Sequence, residues 1–121
     1  MRSEFNFHWQ NWAGNQTCKA DYYFEPETEN DISDIVKKAK AQNKKIRVVG
    51  SGHSFSSIAI SNEILISLSK MNQILATDGN LVIVQGGITL KDLYEHLKIN
   101  NLSLPNYGVI NKQTIAGAIA T

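Results

Sequence analysis

Cysteine, proline and long apolar runs are all scarce in this 121-residue chain, which holds one cysteine and two prolines. With Cys18 alone, no intrachain disulfide or CxxC chemistry can form, and a buried or inert thiol is expected. No apolar stretch approaches the roughly 20 residues of a membrane span. Met1 to Gln10 lacks a basic segment followed by an apolar one and a cleavage site, so a cytoplasmic location is expected and the Asn15-Gln16-Thr17 sequon is read as coincidence. Neither sign of charge dominates: 12 Lys and Arg against 11 Asp and Glu give a net charge of +1. That balance offers no global attraction to nucleic acid or to a membrane surface. The one local excess, Lys37, Lys38, Lys40, Lys44, Lys45 and Arg47, is read as the solvated side and end of a helix. His8, His53, His96 and Cys18 lack the short spacings of zinc ligands.

An apolar share of 42% and a charged share of 19% fit an ordinary globular domain. The length suits one domain and is short for an enzyme with separate cofactor and substrate lobes. Residues 1–25 are aromatic-rich without clear periodicity, and an extended arm anchored by Trp9, Trp12, Tyr22 and Tyr23 is expected. In the body, residues 26–121, Thr28 and Asp31 form a capping-box pattern before the apolar stripe Ile32, Ile35, Val36, Ala39. Ile46 to Val49 reads as a buried strand, and Ile58–Ile60 and Ile64–Leu68 as further strands. Ile74–Ala76 and Leu81–Val84 flank Asp78-Gly79 as a hairpin. Thr89 with Asp92 repeats the cap before the stripe Leu90, Leu93, Tyr94, Leu97, closed by Asn100-Asn101. Leu102–Leu104 reads as a short strand and Pro105 to Gly108 as a turn. The expectation is an α+β (mixed α/β) domain with a small mixed sheet and two helices. The small, apolar tail from Gln113 to Thr121 is a poor terminus for a folded chain, so a longer parent is expected.

The segment Arg47 to Ser57 concentrates the chemistry. A strand breaks into Gly50-Ser51-Gly52-His53-Ser54-Phe55. Glycines there let a ligand approach bare backbone, consecutive amides form an anion-binding concavity, and serines add hydroxyl donors. A histidine inside such a turn is not needed for folding. The pattern suggests a phosphate-bearing cofactor held by backbone, with an imidazole beside it. A dinucleotide GxGxxG fingerprint needs glycine at position 55, where Phe55 stands, and a Walker A loop needs Gly-Lys-Ser/Thr. A hydrolytic relay would need an orienting carboxylate, and Asp31, Asp34, Asp78 and Asp92 have no pattern relating them to His53.

The strand-GSGHSFS unit resembles the cofactor loop of the flavoproteins related to vanillyl-alcohol oxidase and p-cresol methylhydroxylase, with a PCMH-type FAD-binding domain. It looks closest to their sugar-1,4-lactone oxidase and alditol oxidase branch. Asn11-Trp12-Ala13-Gly14-Asn15, Tyr23 to Thr28, Val84 to Leu90 and Gln113 to Thr121 resemble further motifs of that branch, in order, so the resemblance covers nearly the whole chain. It implies FAD wrapped at its pyrophosphate by Gly50, Ser51, Gly52, His53, Ser54 and Phe55, with Thr114, Gly117 and Thr121 on the other side. It also implies that His53 is bonded through a ring nitrogen to the flavin 8α-methyl carbon. The family reaction is oxidation of a sugar lactone or polyol alcohol by hydride transfer to flavin, reoxidised by oxygen or another acceptor. The substrate domain and the rest of the FAD domain have no counterpart here, so no catalytic base or substrate ligand is assigned. Two other readings stay open: a cofactor-free interaction module that self-associates through its apolar C-terminal end, and a binding protein for another phosphorylated ligand.

Overall fold

A computed structural model describes residues 1–53, 57–105 and 111–120. Strands β1 (Arg2–Gln10) and β2 (Thr17–Glu25) pair antiparallel from Arg2↔Glu25 to Gln10↔Thr17. The extended arm expected for residues 1–25 is therefore a hairpin built into the main sheet. Its periodicity is hidden because the alternation changes phase midway. The register omits Asn6, which has φ of 52°. Tyr22, against the Phe5 ring at 5.3 Å, joins one core, while Phe7, Cys18 and Ala20 join the core on the other face. Cys18 is a partly buried packing residue there.

Thr28 starts helix α1 (Glu29–Ala41) with the expected capping box, its hydroxyl accepting the Asp31 amide while Asp31 accepts the Thr28 amide. The helix ends in a Schellman arrangement: Lys44 N–H donates to Ala39 and Asn43 N–H to Lys40, with Asn43 at φ of 52°. Strands β3 (Ile46–Val49) and β4 (Ile64–Ser67) then pair parallel, and β4 also pairs parallel with β2, giving the order β1-β2-β4-β3. Both faces of β4 are covered, so Ile64, Leu65 and Ile66 are all buried, the continuous apolar run of a central parallel strand. Ile35 and Ala39 of α1 pack with Phe24, Ile64 and Ile66 on one face; Ala20, Tyr23, Val49 and Leu65 form the other core. The lysine cluster is less uniformly solvated than expected, since Lys38 Nζ lies 4.2 Å from the Tyr22 ring centroid and Lys44 pairs with Asp21 at 2.8 Å.

The second unit is an antiparallel pair, β5 (Ile74–Asp78) and β6 (Leu81–Val84), under helix α2 (Leu90–Ile99). Asp78 pairs with Leu81, so the two-residue turn is Gly79-Asn80, one residue later than expected. Thr89 caps α2 by accepting the Asp92 amide, and Asn101 ends it with the same Schellman pattern that closes α1. Leu90, Leu93 and Leu97 are buried with Ile88 against Ile74, Val82 and Val84.

Four further expectations are corrected. Ser57–Ala59 is a 3-10 turn where Ile58–Ile60 reads as a strand. Residues 102–104 form no strand: Leu102 and Leu104 pack on the α2 core, and the Leu102 amide is taken by Leu97. β3 is an edge strand, with Arg47 and Val48 exposed, not a buried one. A third helix, α3 (Ile115–Ala120), joins the two expected. Thr114 starts it by accepting the Gly117 amide at 3.2 Å, which no polar-apolar stripe in so short and small-sided a segment announces. Most of the turn expected at Pro105 to Gly108 lies outside the described residues. Among them, no helix is long and apolar enough to cross a membrane.

Candidate functional site

Parallel strands β2, β4 and β3 all point their carboxyl ends at one edge of the sheet, the edge at which open α/β sheets bind ligands. A cavity of about 500 Å³ opens there, lined by Val48, Val49 and Gly50 at the end of β3, Ser67 at the end of β4 with Leu68 and Ser69 after it, and Thr114 and Gly117 at the start of α3. A second space of about 150 Å³ continues past Gly52 and His53 to Ile58 and Gln113. Val48 is 53% exposed and lines both, which accounts for an apolar side chain left uncovered on an edge strand.

The two motif segments expected to hold a cofactor from opposite sides do meet. Thr114 Oγ1 would lie 2.8 Å from a Cβ placed on Gly50, so the hydroxyl occupies the space that glycine leaves. Ser51 Oγ donates to the Lys112 carbonyl, tying the glycine turn to the turn before α3. Gly52 has φ of +73°, and a Cβ on it would meet Trp9 at 3.2 Å and Asn11 at 3.3 Å. Only glycine meets both conditions without strain. Among the described residues, none accepts a hydrogen bond from the amides of Ser51, Gly52 or His53. His53 Nδ1 is buried, also without a hydrogen-bond partner among them. A buried nitrogen left unpaired is costly unless a ligand or its surroundings hold it there. The predicted Gly50, Ser51, Gly52, His53, Thr114 and Gly117 thus line one connected space; Ser54, Phe55 and Thr121 lie outside the described residues.

Helix α2 does not supply the anion site of a dinucleotide fold. The amides of Leu90 and Lys91 donate to Gln113 and Asn111, both at 2.8 Å, and that of Asp92 donates to Thr89. Among the described residues, the glycine turn leaves free backbone donors at this edge, as an anion-binding turn does. His96, the other histidine placed on an element near this unit, bonds Thr77 Oγ1 at 2.8 Å, a structural contact away from the cavity.

Sequence reading missed the far wall: Ser67, Ser69, Asn72, Thr89 and Asp92 also line the larger space. The signal available was position, since Ser67 to Ser69 follow the carboxyl end of a central strand. Ser69 is held from behind by Glu25, a buried carboxylate 3.3 Å from Ser69 Oγ and paired with Arg2 at 2.9 Å. That carboxylate raises the Arg2 pKa further, while burial pushes the neighbouring Tyr23 hydroxyl upward. Trp12 was read as an anchor of an arm; its amide instead donates to the Gly52 carbonyl at 2.7 Å and its ring lies against His53.

The chain is 38% identical over 117 residues to L-gulonolactone oxidase of Scyliorhinus torazame, an alignment covering 95% of this chain and 27% of that protein. It is 36% identical over 122 residues to D-arabinono-1,4-lactone oxidase of Candida glabrata, covering 96% of this chain and 23% of that one. The chain thus spans about a quarter of the length of the curated relatives it matches. A solved structure, a solvent-stable cholesterol oxidase, superposes on 93% of this chain and 23% of its own with a TM-score of 0.82 at 22% identity, which shows a shared PCMH-type fold. The family model of the FAD binding domain matches residues 20–121, so the glycine turn, the α2 entry and the start of α3 all fall inside it, and the chain belongs to this family of FAD-binding domains.

Proposed function

We propose that this chain supplies the pyrophosphate-clasping part of the FAD site in an oxidoreductase that oxidises the alcohol carbon of a sugar lactone or polyol. The observation that carries the reading is a single turn, Gly50 to His53, facing Thr114 across a cavity, with the Ser51, Gly52 and His53 amides and His53 Nδ1 lacking partners among the described residues. The two lactone oxidases that it resembles at 38% and 36% identity support the substrate class. Flavin, when bound, supplies the hydride acceptor and passes electrons to oxygen or another acceptor.

The chain's own residues then divide the work. The Ser51, Gly52 and His53 amides face the diphosphate charge, as an anion-binding nest does. The Ser51–Lys112 bond and the Gly50–Thr114 contact keep turn and helix at a fixed separation. Val48, Val49, Leu68, Ala116 and Ala120 give the larger space apolar walls that exclude water. His53 is the residue proposed to tether the flavin covalently, and no residue of the described chain is assigned as catalytic base.

In a form as long as the lactone-oxidase relatives, flavin should stay with the protein after denaturation, and His53→Ala should release it. Flavin retained by His53→Ala would place the link elsewhere. The chain by itself should turn over no lactone. A colourless, stable dimer that gains no flavin absorbance in excess FAD would instead support the non-catalytic, self-associating module.

A further inference from the structure

The β1–β2 turn has a job that the cofactor clasp does not explain. Asn11 is buried, and its side-chain oxygen accepts the Gln16 amide at 3.1 Å while its Nδ2 donates to Asn15 Oδ1 at 2.7 Å. Its backbone adds bonds to Gln16 and Gly14. A turn clipped this firmly holds its next residue in one place. That residue, Trp12, donates its amide to the Gly52 carbonyl at 2.7 Å and sets its indole against the His53 ring, with centroids 5.4 Å apart and planes 35° from parallel. Yet Trp12 remains 66% exposed, so burial of the indole does not account for its position. Trp9 and Asn11 close on Gly52 from the same side, at 3.2 and 3.3 Å from a Cβ there. His53, for its part, keeps Nδ1 buried without any partner among the described residues. Among the described residues no hydrogen bond fixes the imidazole plane, and the Trp12 ring lies against it.

We propose that Trp12 is the positioning residue for His53: the Asn11–Gln16 turn presses the indole on the imidazole and, through Gly52, holds the turn that carries it, so that Nδ1 stays sheltered and aimed. The proposal rests on the reading of His53 as a cofactor-facing residue and adds the device that orients it. An oriented ring that is shielded from water keeps its lone pair available for a ligand without the rearrangement that a solvated, rotating imidazole would need.

Carbethoxylation of histidines by diethylpyrocarbonate, followed site by site by mass spectrometry at one fixed pH, tests this on the 121-residue chain. Trp12→Ala should raise the rate at His53 by roughly two- to tenfold, the span of one aromatic pair's interaction energy. His8 and His96 should keep their rates, and Trp12→Phe, which retains a ring, should hold His53 near the wild-type rate. An unchanged His53 rate in Trp12→Ala, a uniform rise at all three histidines, or failure of Trp12→Phe to protect would each overturn the proposal. Excess FAD forms a separate arm. Slower modification of His53 alone supports the cofactor-facing reading, and its absence counts against that reading while leaving the Trp12 result to stand or fall by itself.

Discussion

A methyl group on Gly87 would sit 1.8 Å from the Leu68 carbonyl oxygen and 2.8 Å from that of Met71. Backbone cannot yield there, because the Gly87 amide also donates to Met71 at 2.9 Å and stitches the α2 unit to the end of β4. Gly87→Ala should therefore destabilise the chain by about 3 kcal/mol, the upper range for overpacking, measured as a lowered denaturation midpoint. A midpoint within error of wild type would show that the two units are not held by this approach. At the same scale, the glycine turn was legible because glycine and serine types in that order leave few other uses. The pairing of Gly50 with Thr114 was legible only as family resemblance. The 63 residues between them carry no local signal that the two touch. The opposite held for Trp12, whose aromatic character suggested burial, whereas the fold leaves it exposed and leans it on His53.

Helices were read more faithfully than strands because their signals are local. Thr28 and Asp31 lie one turn apart and close a box that a four-residue window contains. Thr28→Ala should cost about 1 kcal/mol, seen in thermal or denaturant unfolding. The acid limb has a definite sign. Asp31 accepts the Glu27 amide at 2.9 Å and the Thr28 amide at 3.2 Å, which hold its carboxyl below the ordinary aspartate value. Its contribution is complete above the unfolded value of about 4 and is lost as pH falls through the lowered folded value. Asp31→Asn should flatten that part of a melting-temperature profile taken between about pH 5 and about pH 2. A profile as steep as wild type would assign the acid sensitivity to other carboxylates. The β1–β2 hairpin, by contrast, escaped detection because its alternation reverses near Asn6, and a period-2 test scores each half against the other.

Across the molecule, one sheet edge gathers the ends of β3 and β4, the start of α3 and the turn after β1. In the proposed reading that surface covers one side of FAD, in a chain that spans about a quarter of its relatives' length. FAD should bind this chain on the order of a hundredfold more weakly than it binds the His53→Ala variant of a form as long as those relatives, where no covalent link forms, by titration calorimetry. Equal affinity would mean that residues 1–121 hold the full set of binding contacts. Short-range chemistry was enough to specify the caps, the central apolar strand and the glycine turn, because each depends on neighbours within a few residues. Which face Phe5 and Phe7 take, that β3 lies at an edge, and that Trp12 rests on His53 depend on strand order and on chain brought together from afar, so packing alone settled them.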